Sequence, residues 1–169
     1  MDKYCKDQDE VCVLKIKSTF FNACIMAVYR APTGNFNLFL NGLDDIIKSL
    51  YEGDLKLIIC GDIKIHYLTD NDKKRQLDAV LLTYNLSAIV HFPTRSQGYS
   101  STAIDNIFIE PINYTASVHN GLSDHGAQLL IINDVNLQLQ NHHIYSLIHS
   151  VVCLTTSPKH FPKRALHIV

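Results

Sequence analysis

The spacing of apolar residues along the chain changes between the two-residue period of strands and the 3.6-residue period of helices. Residues 11–17 alternate apolar and polar side chains, and residues 22–29 form an apolar run, so both segments are predicted as strands. From 36 to 50, apolar side chains recur every three or four residues, which is the spacing of one helical face. This helix is expected to begin after Asn35, because an asparagine side chain can accept bonds from the first helical N–H groups.

The rest of the pattern predicts one more helix and several short strands. The helix is expected over 70–85, and a polar loop over 91–101. The predicted strands are 55–60, 86–90, 103–109, 114–118 and 127–132, and Gly61-Asp62 is a predicted turn at the end of the first of them. Helices alternate with strands early and strands follow one another later, so we expect a layered α/β fold with antiparallel or mixed sheets.

Length and composition indicate one globular domain, with 169 residues of which 47% are apolar and 18% charged. We divide the chain into an N-terminal extension (1–10), a domain (11–133) and a poorly ordered tail (134–169), where the periodicity decays. The net charge of −1 lacks the basic excess of a protein that binds DNA tightly and without sequence preference. DNA binding would therefore depend on local basic residues or on a metal.

The cysteines and the apolar runs predict an intracellular protein, in the nucleus or the cytoplasm. Five cysteines without a Cys-x-x-Cys pair are expected to be reduced, so no disulfides are predicted. Residues 1–7 are charged and lack the apolar centre of a signal peptide. No apolar run approaches the ~18 residues that a membrane span needs, so no membrane partner is predicted.

Three carboxylates and a histidine stand inside or beside predicted strands, where the backbone fixes a side chain and a loop leaves room for substrate. Asp62 follows an apolar strand and is a candidate acid or base; its structural alternative is a contact within its own loop. Asp105 lies inside a strand, either orienting a histidine or facing water at an edge. Asp124 and His125 are a candidate metal ligand and proton-transfer group, or a polar turn.

Two other kinds of site are excluded by spacing. A serine-hydrolase elbow needs Gly-x-Ser-x-Gly, but the position two after Ser123 is His125. A zinc site needs cysteines and histidines at short spacing, and neither His142-His143 nor the scattered cysteines supply it.

Five short motifs, taken in order, resemble the endonuclease/exonuclease/phosphatase superfamily, and in particular the apurinic-type endonuclease domain of non-LTR retrotransposons. They are Val28-Tyr29-Arg30-Ala31-Pro32, Ile59-Cys60-Gly61-Asp62-Ile63-Lys64-Ile65, Phe92-Pro93-Thr94-Arg95, Ala103-Ile104-Asp105-Asn106-Ile107-Phe108 and Leu122-Ser123-Asp124-His125. The resemblance runs from about Val11 to about Ile132. It implies a four-layer αββα sandwich of two packed sheets, with the active site at one end.

The resemblance also implies a function, namely Mg²⁺-dependent hydrolysis of phosphodiester bonds in DNA. His125 is similar to the family's catalytic histidine, Asp105 to its partner, and Asp62 to the acid that handles the attacking water or the leaving oxygen. Asp124 is similar to a metal-site acid. The positions that match the substrate-phosphate contacts are Tyr29, Lys64 and Asn106. Mg²⁺ suits such a site because it prefers carboxylate oxygens and substrate phosphate.

The sequence departs from the family pattern in two places. The family's Gly-Asp-x-Asn motif has an asparagine where this chain has Lys64, which could attract phosphate or pair with Asp62 and discourage the metal. The family's N-terminal portion, which supplies an asparagine and a metal-binding glutamate, has no counterpart, and nothing in the sequence places Asp9 or Glu10 there. We therefore expect a truncated copy, either still an endonuclease or a catalytically dead remnant without an enzymatic role.

Overall fold

A computed structural model describes residues 2–6, 9–17, 22–51, 55–111, 114–119, 124–132, 149–153 and 167–168. It contains two helices, α1 (Phe36–Leu50) and α2 (Asp72–Leu82). Its strands are β1 (Asp2–Lys6), β2 (Asp9–Lys17), β3 (Asn22–Tyr29), β4 (Lys56–Asp62), β5 (Ser87–Ala88), β6 (Arg95–Gln97), β7 (Ser100–Thr102), β8 (Asp105–Ile109), β9 (Tyr114–His119), β10 (Ala127–Ile132), β11 (His149–Cys153) and β12 (His167–Ile168).

Six strands form the larger sheet, in the order β1-β2-β3-β4-β8-β5. The pair β3 and β4 is parallel, because α1 carries the chain back between them, and the other pairs are antiparallel. A second sheet has the order β12-β11-β10-β9, and β6 and β7 form a separate hairpin.

Both helices cover one face of the larger sheet. Asn35 caps α1 as predicted, since its side chain accepts bonds from the N–H groups of Asn37 and Leu38, and Asn71 caps α2. The apolar faces of both helices share one buried cluster with alternate residues of β2, β3, β4 and β8. The helical periodicity of the sequence is therefore satisfied by packing on the sheet, which is where most helical stability in proteins arises.

The opposite face of the larger sheet packs on the second sheet. Ile58, Cys60 and Ile107 contribute to a second buried cluster, which Leu130 and Ile132 of β10 complete. Cys60 in this cluster is a free thiol. Helix, sheet and sheet thus form three layers, as predicted for an α/β sandwich. Within the described residues the second sheet carries no helix that would form the fourth layer.

The observed elements differ from the predicted ones at several boundaries. Gly61 and Asp62 continue β4 instead of turning, because both pair with β3 on one side and β8 on the other. The hairpin β6–β7 lies in the predicted loop 91–101. Strand β1 lies in the predicted extension, and β11 and β12 lie in the predicted tail. Gly53, the predicted end of the first helix, lies outside the described residues.

None of the helices in the part of the chain that the structure describes is long and apolar enough to cross a membrane.

Candidate active site

A row of polar residues crosses one end of the larger sheet. Glu10 of β2 is the register partner of Tyr29 in β3, Tyr29 is the partner of Asp62, and Asp62 is the partner of Asp105 in β8. Register partners on neighbouring strands point to the same side of a sheet. This side faces the second sheet, from which His125 enters just before β10. The row therefore assembles predicted residues from four separate segments.

Glu10 is a member of this row that the sequence did not predict. Its place follows from the pairing of β2 with β3, which makes it the neighbour of Tyr29. The alternation of β2 puts Glu10 on one face with Cys12, but the sequence cannot show which residue of β3 lies opposite. Register, rather than composition, brings Glu10 to the site.

Gly61 explains why Asp62 lies so close to β3. The Gly61 backbone has a φ of +149°, and a Cβ built there would come 1.8 Å from the carbonyl oxygen of Val28. Only glycine permits this approach of two backbones. The glycine of the Gly-Asp motif thus fixes the position of the carboxylate that follows it.

His125 and Asp105 form a buried, hydrogen-bonded pair in the site. His125 Nδ1 lies 2.9 Å from Asp105 Oδ2 and 3.1 Å from Oδ1. His125 is 4% exposed and Asp105 is fully buried, so water hardly competes for this bond. The Asp105 hydrogen bond raises the pKa of His125 above its usual 6.5, although burial opposes it. The structure thus brings these two predicted residues into contact, and their catalytic roles stay predictions.

Thr94 holds the Asp105 carboxylate in place. Its hydroxyl donates to Asp105 Oδ2 at 2.8 Å and accepts bonds from the backbone N–H groups of Ile104 and Asp105, both at 3.2 Å. The sequence offered Thr94 within the Phe-Pro-Thr-Arg motif, but no periodicity marks a single loop threonine as part of a site. Its role is visible only once the loop is folded against β8.

The segment that carries His125 is hydrogen-bonded to the backbone of residues 94–96. Gly126 N donates to Thr94 O at 2.7 Å, and Ser96 N donates to Asp124 O at 3.1 Å. Arg95 and His125 form an isolated antiparallel bridge between these two bonds. The backbone of residues 94–96 therefore links the two sheets at the point where His125 meets Asp105.

Asn106, a predicted phosphate contact, bonds to the backbone of Val90. Its side chain is fully buried, accepts a bond from Val90 N at 3.1 Å and donates to Val90 O at 3.2 Å. The amide group thus extends the hydrogen bonding between β5 and β8 and holds the start of the loop that leads to Thr94. Both ends of the amide are bonded to Val90 in this arrangement, and the contact of Asn106 with substrate stays a prediction.

Lys64 contacts Asp62 directly, through its Nζ atom and Asp62 Oδ2. The side chains are only 16% and 5% exposed, so this ion pair is largely shielded from water. Burial and the neighbouring Asp105 raise the pKa of Asp62, while Lys64 and His125 oppose the rise. The second carboxylate oxygen, Oδ1, is buried without a hydrogen-bond partner.

Tyr29 lies between Glu10 and Asp62 in the row and is half-buried. Its pKa is raised above 10.0 by burial first and then by the negative charges of Asp62, Asp9 and Glu10. The phenol therefore stays protonated and can donate a hydrogen bond. A phosphate-binding tyrosine requires this state, and the contact of Tyr29 with phosphate stays a prediction.

Asp124 does not join the cluster in which it was predicted to hold a metal. Its Oδ2 accepts a bond from Arg95 Nε at 2.6 Å, and this bond lowers the pKa of Asp124 below 3.8. Within the described residues, the group with metal-ligand spacing consists instead of Asp62, Asp105 and His125, whose ligand atoms lie within 4.8 Å of one another. Asp124 is thus paired with Arg95 in this arrangement, and its role as a metal ligand stays a prediction.

The donor atoms of this group do not fit a tightly held Mg²⁺ in the arrangement described. Mg²⁺ needs open carboxylate oxygens in octahedral geometry. Asp105 uses both oxygens for His125 and Thr94, and Asp62 uses Oδ2 for Lys64, so Asp62 Oδ1 is the open oxygen of the cluster. A cation there would also lie close to the Lys64 ammonium group, which repels it.

Comparison with known proteins identifies the fold. No family model and no curated protein matches the chain. Among solved structures, the endonuclease domain of TRAS1, a telomere-specific non-LTR retrotransposon, matches with a TM-score of 0.63 and 17% identity, over 72% of this chain and 61% of that one. An endonuclease/exonuclease/phosphatase family protein from Bacteroides thetaiotaomicron matches with a TM-score of 0.47 and 17% identity, over 70% and 53%.

The chain therefore shares the fold of the endonuclease domain of TRAS1, which is the kind of fold that its motifs predict. It spans about three-fifths of the length of the TRAS1 domain that it matches.

Proposed function

We propose that this protein is a nuclease-type hydrolase that cleaves a phosphodiester bond of DNA. Its active site consists of Asp62, Asp105 and His125. The observation that carries the proposal is the buried bond between His125 Nδ1 and Asp105, held by Thr94 and lying beside Asp62. A histidine whose Nδ1 is fixed by a carboxylate presents Nε2 for proton transfer, and the carboxylate stabilises its protonated form.

The residues divide the reaction between them. Water attacks the phosphorus atom, and Asp62 accepts a proton from that water, since burial makes its carboxylate a stronger base than usual. His125, whose raised pKa favours the protonated form, donates a proton to the leaving oxygen. Tyr29 and Lys64 donate hydrogen bonds to the phosphate oxygens, where negative charge develops.

Two observations support DNA as the substrate. The fold is similar to that of a retrotransposon endonuclease domain, and the side chain of Lys64 places a positive charge inside the site. The net charge of −1 provides no general attraction for a polyanion, so a local contact such as Lys64 must supply it. Magnesium, which the resemblance implies, has no step in this proposal because the described donor atoms do not fit it.

Relaxation of supercoiled plasmid by single-strand nicking tests the proposal. Wild-type protein should nick the plasmid, and His125→Ala should reduce the rate by about 100-fold or more, the usual contribution of a general acid or base. His91→Ala is the matched control, because His91 is an exposed histidine outside the site and its removal should leave the rate unchanged. Equal nicking by wild type and His125→Ala would refute the assignment.

The alternative is a catalytically dead remnant of a retrotransposon endonuclease. It is favoured by the two ion pairs, Lys64 with Asp62 and Arg95 with Asp124, which occupy carboxylates that the resemblance assigns to chemistry. Folded wild-type protein that never nicks the plasmid, with or without Mg²⁺, would establish this alternative in place of the hydrolase.

A further inference from the structure

We propose that the Lys64 ammonium group takes the place of a divalent cation in this site, so that the site binds a DNA backbone phosphate without a metal. The inference rests on the proposed function, since it concerns how the same site holds its substrate. It is tested by binding rather than by cleavage, so the two can fail separately.

Lys64 places a positive charge against the Asp62 carboxylate, where a bound metal ion would place one. Its Nζ atom contacts Asp62 Oδ2, and both side chains are largely buried. An ammonium group is a compact positive charge with three N–H donors. One donor is used by Asp62, which leaves two N–H groups to donate to the oxygens of a bound phosphate.

The backbone at Lys64 does not explain why a lysine stands there. Its φ of +53° lies in the left-handed region, which disfavours most residues with a side chain and suits glycine or asparagine best. The turn is fixed by bonds from the N–H groups of Ile63 and Lys64 to the carbonyl oxygen of Ile104, at 3.0 and 3.2 Å. The lysine is therefore unfavourable for the backbone, and its charge beside Asp62 is the compensating feature.

The Lys64 ammonium group and a divalent cation would compete to compensate the same buried negative charge. Asp62 and Asp105 are register partners and bring two carboxylates to one buried place. Lys64 compensates one of these charges without any bound ion. A divalent cation at Asp62 Oδ1 would share a single carboxylate with the ammonium group, and repulsion between the two would weaken both contacts. Removal of the lysine charge should therefore open Asp62 to a metal.

Binding of a fluorescently labelled single-stranded DNA oligonucleotide, measured by anisotropy with EDTA or with Mg²⁺, tests the inference. Wild type should bind equally well under both conditions. Lys64→Asn, which suits the backbone, should bind about tenfold more weakly or worse in EDTA, because one charge-assisted contact is lost. The slope of log affinity against log salt should fall by about 0.7, the value for one phosphate contact on a single strand.

Two further measurements complete the design. Calorimetric titration with MgCl₂ should show binding to Lys64→Asn and none to wild type, and this readout needs no catalysis. Lys73→Asn is the matched control, since Lys73 is an exposed lysine on α2, and its DNA affinity should equal that of wild type.

The inference is overturned if wild type binds DNA only with Mg²⁺, or if folded Lys64→Asn binds as tightly as wild type in EDTA. Metal-free binding without nicking would support the inference and refute the hydrolase. Nicking that depends on Mg²⁺ in wild type would support the hydrolase and refute the inference.

Discussion

Thr94→Val is the perturbation that the structure defines most sharply. Valine has nearly the shape of threonine, so the buried side chain keeps its volume and loses only the hydroxyl group. That hydroxyl makes three bonds, one to the Asp105 carboxylate and two from the backbone N–H groups of Ile104 and Asp105. No other single atom of the described site connects the loop, the backbone of β8 and the catalytic pair.

The cost can be worked from these bonds. A hydrogen bond to a charged group contributes about 1.5–3 kcal/mol, and a buried donor left without its acceptor costs about 1–3 kcal/mol. The three losses are not independent, so we expect Thr94→Val to lower the free energy of unfolding by about 3 kcal/mol. Thr94→Ser keeps the hydroxyl and removes one methyl group, so its cost should be about 1 kcal/mol.

Urea unfolding of the three proteins measures this difference, provided that the denaturant slopes agree. NMR titration of His125 in the same variants supplies a second reading, since an Asp105 carboxylate without Thr94 is less well oriented toward the imidazole. We expect a lower His125 pKa in Thr94→Val than in Thr94→Ser. If valine were no worse than serine in stability, Thr94 would be a packing residue and the reasoning above would be refuted.

Two further predictions concern stability and pH. Gly61→Ala should fail to fold or lose more than about 3 kcal/mol of stability, because its Cβ would collide with the Val28 carbonyl oxygen at an unsuitable φ, and circular dichroism with thermal unfolding will show this. The raised pKa of His125 means that its bond to Asp105 stabilises the fold fully below pH 6.5, and that this stabilisation is lost as the pH rises through the folded-state pKa. The difference in unfolding free energy between wild type and His125→Gln should therefore shrink with rising pH in urea titrations, and a constant difference would contradict the assignment.

The fold was predictable because its periodicities are local. The face of α1, its cap at Asn35 and the apolar runs of β3 and β4 are all present in short stretches of sequence. Strand ends were predicted less well, since Gly61-Asp62 has the composition of a turn. Pairing with two neighbouring strands outweighs that local preference.

The contacts of the site were predictable where a motif pairs two residues. They were not predictable where strand register or a competing hydrogen-bond partner determines which groups meet. The order of the motifs predicted that Asp105 would orient His125, and the structure contains this bond. Asp124 and Asn106 were assigned by motif position, and the sequence did not reveal that Asp124 bonds to Arg95 and Asn106 to the backbone of Val90. Competing partners from distant segments leave no trace in a local pattern.

The strand order also determines when the strands of the larger sheet can pair during synthesis. The strands β1 to β4 are consecutive in the chain and adjacent in the sheet, so they can pair once β4 has emerged from the ribosome. Strand β8 and His125 arrive later, across a gap that ribosomes translate in several seconds at roughly 5–20 residues per second. During that interval β4 is an open edge, and a nascent chain could pair wrongly there. Pairing of β8 with β4 covers this edge and brings Asp105 to Asp62 in the same step, so the two carboxylates meet only once the open edge is closed.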